Sequence, residues 1–406
     1  MPKLKHVISR YKKPHATVVT GKFDLHYEDL IKRNRYLLMA LTGGTIALLA
    51  IVIPVAVYRS LAGTGAASLE AEDGTLTTQA VATTDATASG GQYVTFTPPS
   101  CPAGQTGTPP NCVAAQGITK VMWIWEENDS ASDVIGNADM PYVNGLATTY
   151  GYANNARSET TPSEPNYIAA TSGSTHGITD DNNPSAHPLS GASIFSQLPA
   201  GQAKVFAESM STNCQATNGT PSDVNGAGFY AVRHTGWPYY VDSNTDCKKY
   251  QVPLGANFQT AINSGLPKFS EVVPAICNDM HKGGSPDVCN FAAGQNYDTR
   301  ADAWVKGWIN KVKAGPDWQA GNLVIFLVWD EGSGTDPPAG TDCTTNNTYN
   351  HCHIPLIVIS PQTLAINSST RFSHYSMLRT TEEIFGLPFL GAAANANSMR
   401  AAFNLN

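Results

Sequence analysis

A series of short, continuous apolar runs most constrains what this chain can fold into. The runs lie at Val121–Trp125, Lys204–Phe206, Leu323–Trp329 and Leu356–Ser360. Segments of helical character lie between or after them, at Pro165–Thr171, Asp302–Lys313 and Tyr375–Phe385. Strands that are apolar on both faces are typical of parallel sheets covered by helices. The sequence therefore predicts an α/β domain over residues 118–406, with a mostly parallel sheet flanked by helices.

A different constraint comes from Tyr36–Tyr58, a stretch of 23 residues without a charge. At about 1.5 Å per residue, a helix of this length crosses a hydrocarbon core of roughly 30 Å. Residues 1–35 carry nine Lys or Arg, whereas Arg59 is the one basic residue between the stretch and Lys120. The positive-inside rule then places the N-terminus in the cytoplasm. A cleaved signal peptide is the alternative, but the long basic segment favours an uncleaved anchor.

These features divide the chain into four parts. Residues 1–35 form a cytoplasmic basic segment, 36–58 a transmembrane signal anchor, 59–117 a flexible spacer and 118–406 the folded domain. The spacer is rich in Ala, Thr, Gly and Pro and shows no periodicity. The sequence thus predicts a single-pass protein of the cell membrane whose folded domain is extracytoplasmic.

All eight cysteines lie beyond the predicted anchor. An even number of cysteines confined to this part indicates disulfides formed in an oxidising compartment. We predict sequential pairing, which is one of 105 possible connectivities. The predicted pairs are Cys101–Cys112, Cys214–Cys247, Cys277–Cys289 and Cys343–Cys352.

The part of the chain beyond the anchor is acidic. Residues 60–406 carry 15 basic and 29 acidic residues. Such a balance argues against nucleic acid as a partner and is compatible with cation binding.

Two of the predicted strands end in carboxylates. The polar residues are Glu126, Glu127, Asn128 and Asp129 after the first run, and Asp330 and Glu331 after the third. Ligands of parallel sheets bind beyond the carboxyl ends of the strands. Carboxylates gathered there repel one another unless a divalent cation neutralises them. The alternative is that both clusters are acidic loop starts on a soluble surface.

Ser163 lies at a predicted helix start, because Pro165 suits the first turn of a helix. The simpler interpretation is a capping serine. The functional interpretation places Ser163 where the helix dipole and free N–H groups favour a phosphate. A serine so placed can attack phosphorus if a metal lowers its pKa.

The segment PSEPNYIAATSGSTHGITDD, which contains Ser163, resembles the nucleophile segment of the bacterial acid phosphatase and phospholipase-C-like phosphoesterases. That family belongs to the alkaline-phosphatase-like superfamily. Further similar segments follow in order, over about residues 118–406: EEND, IGNADMPYVNGLATTYG, AESM…NC, VRH, CNDMH, FLVWDEG and HYSMLRTTEEIFGLPFLGAA. The resemblance implies an alkaline-phosphatase-like core.

The resemblance also assigns roles to individual residues. It implies Ser163 as nucleophile, Asn166 as a contact to a phosphoryl oxygen, and Glu127, Asn128, Asp330 and Glu331 as metal ligands. Related two-metal phosphodiesterases have Asp-His where this chain has Asp330-Glu331. Of the candidate ions Ca²⁺, Mg²⁺, Mn²⁺ and Zn²⁺, mixed carboxylate and amide ligands favour the first three.

Three histidines fall in the similar segments. His234 and His374 are candidate catalytic residues, and His281 is a candidate for binding the substrate, because imidazole titrates near neutral pH. Asp279 and His281 could instead bind a second metal. Each histidine could also be structural.

The sequence thus predicts a metal-dependent hydrolase of phosphomonoesters that forms a phosphoserine intermediate. A phosphorylated small molecule or a lipid phosphate is the expected substrate. One alternative is a phospholipase C or other phosphodiesterase on the same fold. The other is a catalytically inactive binding module at the cell surface.

Overall fold

The computed structural model describes residues 117–220, 228–281, 288–334 and 338–406, together with the backbone of five short strands that precede them. The chain divides into two compact units, Met1–Ser100 and Cys101–Asn406. In the first unit, β1 (Ser68–Leu69), β2 (Ala80–Thr84) and β3 (Gln92–Phe96) form an antiparallel sheet in the order β1-β3-β2. In the second unit, β4 (Gln105–Thr106) pairs with β5 (Val113–Ala114). These strands lie within the predicted spacer.

The predicted membrane anchor cannot be compared with the structure, because Tyr36–Tyr58 lies outside the described residues. Among the residues that are described, no helix has both the length and the apolar character needed to span a bilayer.

The rest of the second unit alternates strands and helices. Its strands are β6 (Lys120–Glu126), β7 (Gly151–Ala153), β8 (Ala156–Arg157), β9 (Ala203–Ala207), β10 (Gln251–Pro253), β11 (Phe269–Val273), β12 (Leu323–Trp329), β13 (Leu356–Ile359), β14 (Ile366–Ser368) and β15 (Phe372–Ser373). Its α-helices are α1 (Ala131–Val134), α2 (Pro141–Thr149), α3 (Ser163–Ser172), α4 (Ile194–Gln197), α5 (Asn244–Tyr250), α6 (Gly255–Ser264), α7 (Tyr297–Ala314), α8 (Pro316–Gln319) and α9 (His374–Phe385). Short 3₁₀ helices cover Val232–His234, Trp237–Tyr239, Val241–Ser243, Asn350–Cys352 and Gly391–Asn395.

Eight strands form the main sheet, in the order β10-β9-β11-β6-β12-β13-β7-β14. The pairings from β10 to β12 are all parallel, β13 is antiparallel to both of its neighbours, and β14 is parallel to β7. Helices pack against this sheet. The predicted α/β architecture with a mostly parallel sheet is therefore confirmed.

The predicted elements agree closely with the observed ones. The four predicted strands match β6, β9, β12 and β13 to within one residue at each end, and the three predicted helices lie within α3, α7 and α9. Strand β11 was not predicted, because its sequence FSEVV interrupts the apolar run with Ser270 and Glu271. Both residues are buried, and Glu271 Oε1 accepts a hydrogen bond of 2.8 Å from Trp125 Nε1.

Aromatic packing joins the sheet to the helix that carries Ser163. Trp123 contacts Phe269 edge to face, with 4.7 Å between ring centroids. The neighbouring Trp125 packs against Tyr167 of α3 at 4.4 Å. Buried aromatic pairs of this kind add about 0.5–1.5 kcal/mol beyond the area they bury. They fix α3 over the carboxyl end of β6.

A close backbone approach fixes the other end of α3. Gly173 ends the helix in the left-handed region, with φ of 75°. A Cβ atom at this position would lie 2.2 Å from Leu390 O, so only glycine fits the contact.

Three of the predicted disulfides are present, Cys214–Cys247, Cys277–Cys289 and Cys343–Cys352. Cys101 and Cys112 lie outside the described residues.

Candidate active site

The candidate site lies at the carboxyl ends of β11, β6 and β12. Trp329 of β12 is in register with Glu126 of β6, and Asp330 N donates to Glu126 O at 3.2 Å. On the other side, Glu127 N donates to Asp279 O at 2.7 Å. Three segments that are distant in sequence therefore meet at one edge of the sheet.

Helix α3 begins directly at this edge. Ser163 Oγ donates a hydrogen bond of 3.1 Å to Glu127 Oε2. One turn later, Tyr167 OH donates to Glu127 Oε1 at 2.5 Å. The N-cap residue is Pro162, so the simpler interpretation of Ser163 as a capping serine does not describe the structure. The Ser163 hydroxyl instead faces the carboxylates.

The carboxylates of the site are held in an unfavourable electrostatic environment. Glu127, Asp279 and Asp330 are all buried. Burial raises the pKa of Glu127 well above its usual range, and the charges of Asp330 and Asp279 raise it further. Burial, followed by the charge of Glu331, also raises the pKa of Asp330. For Asp279, burial raises the pKa to about 8.

Two buried carboxylate oxygens show that these residues fit a cation. Asp330 Oδ2 and Asp279 Oδ2 accept no hydrogen bond from the described residues, although His234 Nδ1 lies 3.2 Å from Asp279 Oδ2. Unpartnered buried carboxylates cost free energy, and a divalent ion bound by them would offset that cost. The donor set is compatible with Mg²⁺, Ca²⁺ or Mn²⁺, which prefer carboxylate oxygens.

His234 lies between two of these carboxylates. Its Nε2 is 3.3 Å from Glu127 Oε1, and its Nδ1 is 3.2 Å from Asp279 Oδ2. Burial, followed by the charge of Arg233, lowers the pKa of His234 well below its usual value. Glu127, His234 and His281 each offer one ligand atom, and these atoms lie within 4.8 Å of one another. This group of possible ligands includes His281, one of the two residues of the second-metal alternative, and adds His234, which was predicted as a catalytic residue.

Arg233 supplies positive charge to the same region. Its Nη2 donates to His281 Nε2 at 3.0 Å, and its Nε lies 3.7 Å from Asp181 Oδ2. The Arg233 charge lowers the pKa of Glu127 and of Asp279. His281 is thus hydrogen-bonded to the arginine and also offers a ligand atom within 4.8 Å of one on Glu127.

The predicted role of Asn166 needs correction. Its Oδ1 accepts from Glu159 N and Thr160 N, at 2.9 and 3.0 Å. Its Nδ2 donates to Thr160 O and Pro162 O, at 3.0 and 3.1 Å. All four hydrogen-bonding positions of the amide are occupied. Asn166 therefore holds the loop before α3 and has no free donor for a phosphoryl oxygen.

The predicted metal ligands are only partly brought together. Glu127 and Asp330 are neighbours, and the backbone N–H of Asn128 donates to Asp330 Oδ1 at 3.2 Å. Glu331 Oε2 lies 3.0 Å from His351 Nε2, within the loop closed by the Cys343–Cys352 disulfide. The structure therefore pairs the Glu331 carboxylate with His351, while its charge still raises the pKa of Asp330.

His374 also has a different environment from the one predicted. It is fully buried at the start of α9, and its Nε2 donates to Trp329 O at 3.0 Å. Its ring packs against Trp125 at 5.3 Å. Burial lowers the pKa of His374 to about 4. These contacts support the end of β12 and do not include Ser163.

Tyr167 and Asp279 are the main residues that the sequence analysis did not place in the primary site. Tyr167 is four residues after Ser163, so both lie on one face of α3. That spacing was an available signal. Asp279 lies in the loop after β11, in the similar segment CNDMH, and the sequence analysis considered it only as a ligand of a second metal.

Comparison with known proteins gives matches over the part of the chain that carries this site. The model of the Phosphoesterase family matches residues 115–388. The phosphatidylinositol-3-phosphatase of Mycobacterium tuberculosis is 31% identical over 281 residues, which cover 68% of this chain and 80% of that protein. An acid phosphatase of Aspergillus fumigatus is 24% identical over 287 residues, which cover 66% of this chain and 55% of that protein. A solved structure of a protein in the alkaline phosphatase superfamily from Vibrio parahaemolyticus has a TM-score of 0.44 and 12% identity, over 70% of this chain and 72% of that chain.

Proposed function

This chain belongs to the Phosphoesterase family, and from that premise we propose that it is a metal-dependent phosphomonoesterase with Ser163 as its nucleophile. As a hydrolase of phosphoric ester bonds, it is not the inactive binding module considered from the sequence. The observation that carries the proposal is the Ser163 hydroxyl, which is hydrogen-bonded to Glu127 within a cluster of buried carboxylates.

The first half of the reaction transfers the phosphoryl group to Ser163. Ser163 Oγ attacks phosphorus, and its proton moves to Glu127 Oε2, which is 3.1 Å away. The bond from phosphorus to the ester oxygen breaks, and the departing alkoxide takes a proton from water. A divalent cation held by Glu127 and Asp330 would lower the pKa of the attacking hydroxyl and offset charge on the phosphoryl oxygens.

The second half regenerates the enzyme. When water protonates the departing alkoxide, a hydroxide ion remains. This hydroxide attacks the phosphorus of the phosphoserine, the bond from phosphorus to Ser163 Oγ breaks, and inorganic phosphate departs. Ser163 Oγ recovers its proton from Glu127. Glu127 Oε2, which accepts the Ser163 hydrogen bond at 3.1 Å, is placed to take up this proton and return it during the cycle.

Two cationic features support binding of the phosphoryl group. Ser163 is the first residue of a ten-residue helix, and helix N-termini favour anions. Arg233, on the adjacent 3₁₀ helix, lies near Glu127 and can pair with two phosphoryl oxygens at once. A phosphomonoester offers such oxygens in its terminal group.

For the substrate, we propose a small phosphomonoester or the phosphorylated head group of a lipid. One of the relatives is named as a phosphatidylinositol-3-phosphatase. The predicted anchor Tyr36–Tyr58 would hold the domain at the outer surface of the cell membrane, as a single-pass protein with a cytoplasmic N-terminus. A lipid substrate would then be within reach.

The experiment compares Ser163→Ala with Ser172→Ala on p-nitrophenyl phosphate. Ser172 is a matched control, because it lies on the same helix and its hydroxyl is bonded to Ile168 O at 2.9 Å. We expect Ser163→Ala to lose at least about 10³-fold in kcat and Ser172→Ala to retain most activity. Equal activity of the two variants would refute the assignment of the nucleophile.

The same assay distinguishes a monoesterase from a diesterase. We expect p-nitrophenyl phosphate to be hydrolysed faster than bis(p-nitrophenyl) phosphate, and chelation of divalent ions to abolish both activities. Faster hydrolysis of the diester would favour the phosphodiesterase alternative. Phosphatidylinositol 3-phosphate in vesicles then tests the lipid substrate against the soluble one.

A further inference from the structure

A second cluster of candidate metal ligands lies beside the nucleophile and shares no residue with the first. Glu164 directly follows Ser163 in α3, and Asp180 and His187 lie in the loop after that helix. Each of the three offers one ligand atom, and these atoms lie within 4.8 Å of one another. A carboxylate from the helix therefore faces a carboxylate and an imidazole from the loop.

Glu164 is the member of this cluster that needs explanation. It is fully buried, and neither of its carboxylate oxygens has a hydrogen-bond partner among the described residues. The Tyr239 hydroxyl lies close enough to interact with the Glu164 carboxylate, but it meets hydrogen-bond geometry with Asn182 O, at 3.1 Å. Buried carboxylates without donors are rare because desolvation is costly. The position of Glu164 thus indicates a ligand that its contacts with the protein do not supply.

The other two residues are open to solvent. His187 Nε2 lies 2.6 Å from Asp180 Oδ1, and the two side chains are 21% and 48% exposed. An ion pair accounts for these two residues, but it leaves Glu164 unexplained. An ion could enter between them and reach the buried carboxylate.

We propose that Glu164, Asp180 and His187 bind a divalent cation at a site separate from the Glu127–Asp330 cluster. Two carboxylates and one imidazole suit Mn²⁺ or Zn²⁺ better than Ca²⁺. The ion completes its coordination with water on the exposed side. This site does not depend on the proposed phosphoesterase mechanism.

The ion would tie the loop to the first turn of α3. One link is already present, because Glu164 N donates to Asp181 Oδ1 at 2.9 Å. The bound cation adds a second link through the Glu164 side chain. Since Ser163 directly precedes Glu164, the ion would also restrain Ser163, a consequence for catalysis that rests on the proposed function.

The test counts Mn²⁺ ions bound to the metal-free full-length protein, from the electron paramagnetic resonance signal of free Mn²⁺. We expect Asp180→Asn and His187→Gln each to weaken one class of Mn²⁺ site by at least about 10²-fold and to leave the other class unchanged. His176→Gln is the matched control, because His176 lies in the same loop but contacts Ser172. It should bind as many ions as the wild type. Glu164→Gln should behave like His187→Gln.

Asp330→Asn separates this proposal from the proposed function. It should remove the ion of the Glu127 cluster and keep the ion that depends on His187. If Asp180→Asn and His187→Gln both bind as many ions as the wild type with the same affinity, the proposal is wrong, whatever Asp330→Asn shows. Because the Asp180 and His187 side chains are partly exposed, Asp180→Asn and His187→Gln should fold. These two variants therefore test the proposed site even if Glu164→Gln does not fold.

Discussion

Ser163 Oγ lies 3.1 Å from Glu127 Oε2 and donates a hydrogen bond to it, although the two residues are 36 positions apart in the sequence. Glu127 follows the central strand β6, and Ser163 begins α3. The contact places a hydroxyl at the carboxyl edge of a parallel sheet, beside buried carboxylates. Attack on phosphorus requires that the hydroxyl lose its proton, and this geometry provides an acceptor.

Tyr167 positions Glu127, so Tyr167→Phe should impair activity without unfolding the protein. The variant loses the 2.5 Å hydrogen bond to Glu127 Oε1 but keeps the aromatic packing on Trp125. We expect kcat to fall about 10- to 100-fold, together with weaker activation by the metal, as is usual when a partner of a metal ligand is removed. Steady-state kinetics at several metal concentrations measure both effects.

Tyr240→Phe is the control for that variant. Tyr240 is also buried next to α3, and its hydroxyl contacts Thr171 Oγ1 at 2.8 Å. It should lose some stability and little activity. If the two variants have the same kcat, Tyr167 does not position Glu127.

Asp330→Asn should raise the stability of the metal-free protein while it abolishes activity. Asp330 Oδ2 has no hydrogen-bond partner among the described residues, and burial raises the pKa of this carboxyl. Removing a repelled buried charge should increase the free energy of unfolding by about 1 kcal/mol or more in the presence of a chelator. Activity should fall at least about 10²-fold, because the cation loses a ligand.

Asp317→Asn is a comparison for which we expect the opposite change in the free energy of unfolding. Asp317 Oδ1 lies 2.5 Å from Lys120 Nζ, and its Oδ2 accepts from Leu266 N at 2.6 Å. This variant should be less stable than the wild type and should retain its kcat. Chemical denaturation of both variants, with and without metal, checks the prediction, and a destabilised metal-free Asp330→Asn would contradict it.

Glu271 should make the protein less stable as pH rises. Burial raises the pKa of Glu271 from 4.5 to about 8. Between these values the folded state holds a proton that the unfolded chain has released. The free energy of unfolding therefore falls with pH, by up to about 1.4 kcal/mol per pH unit for one such group.

Glu271→Gln should flatten this dependence. The amide keeps an oxygen that can accept from Trp125 Nε1, so packing is preserved while the titration is lost. Urea denaturation of wild type and variant from pH 5 to 8, with chelator present, gives the two slopes. Identical slopes would show that Glu271 does not titrate in this window.

The Cys277–Cys289 disulfide closes the loop that carries Asp279 and His281. Replacing both cysteines with serine should lower the stability by about 3 kcal/mol and should also lower kcat, because the loop holds a side of the site. The Cys214–Cys247 bridge spans 33 residues rather than 12, so its removal should cost at least as much stability. Its effect on kcat should be smaller. The reverse order of the two kcat values, measured well below the melting temperature, would contradict the role of the Cys277–Cys289 loop.

The sequence predicted those parts of the molecule that depend on local pattern. Continuous apolar runs located β6 and β12, and the carboxylates after them meet in space because adjacent parallel strands end at one edge. Strand β11 was not predicted, because it contains a charged residue, Glu271, that is buried as the hydrogen-bond partner of Trp125. Its burial depends on a neighbouring strand, which the local sequence does not reveal.

The sequence also could not predict which partners individual side chains contact. Glu331 follows Asp330 immediately, yet its carboxylate pairs with His351. Asn166 lies on the nucleophile helix, yet its amide is used entirely within the preceding loop. A motif gives the order of residues along the chain, whereas rotamers and loop paths depend on tertiary contacts.

The most direct test of the central claim is a search for the covalent intermediate. Wild-type protein with bound metal is mixed with a phosphomonoester, quenched in acid within milliseconds, and mapped by peptide mass spectrometry. One phosphoryl group should appear on Ser163, and it should be absent without metal and in Ser163→Ala. A phosphoryl group on another residue, or hydrolysis at the wild-type rate by Ser163→Ala, would contradict the account.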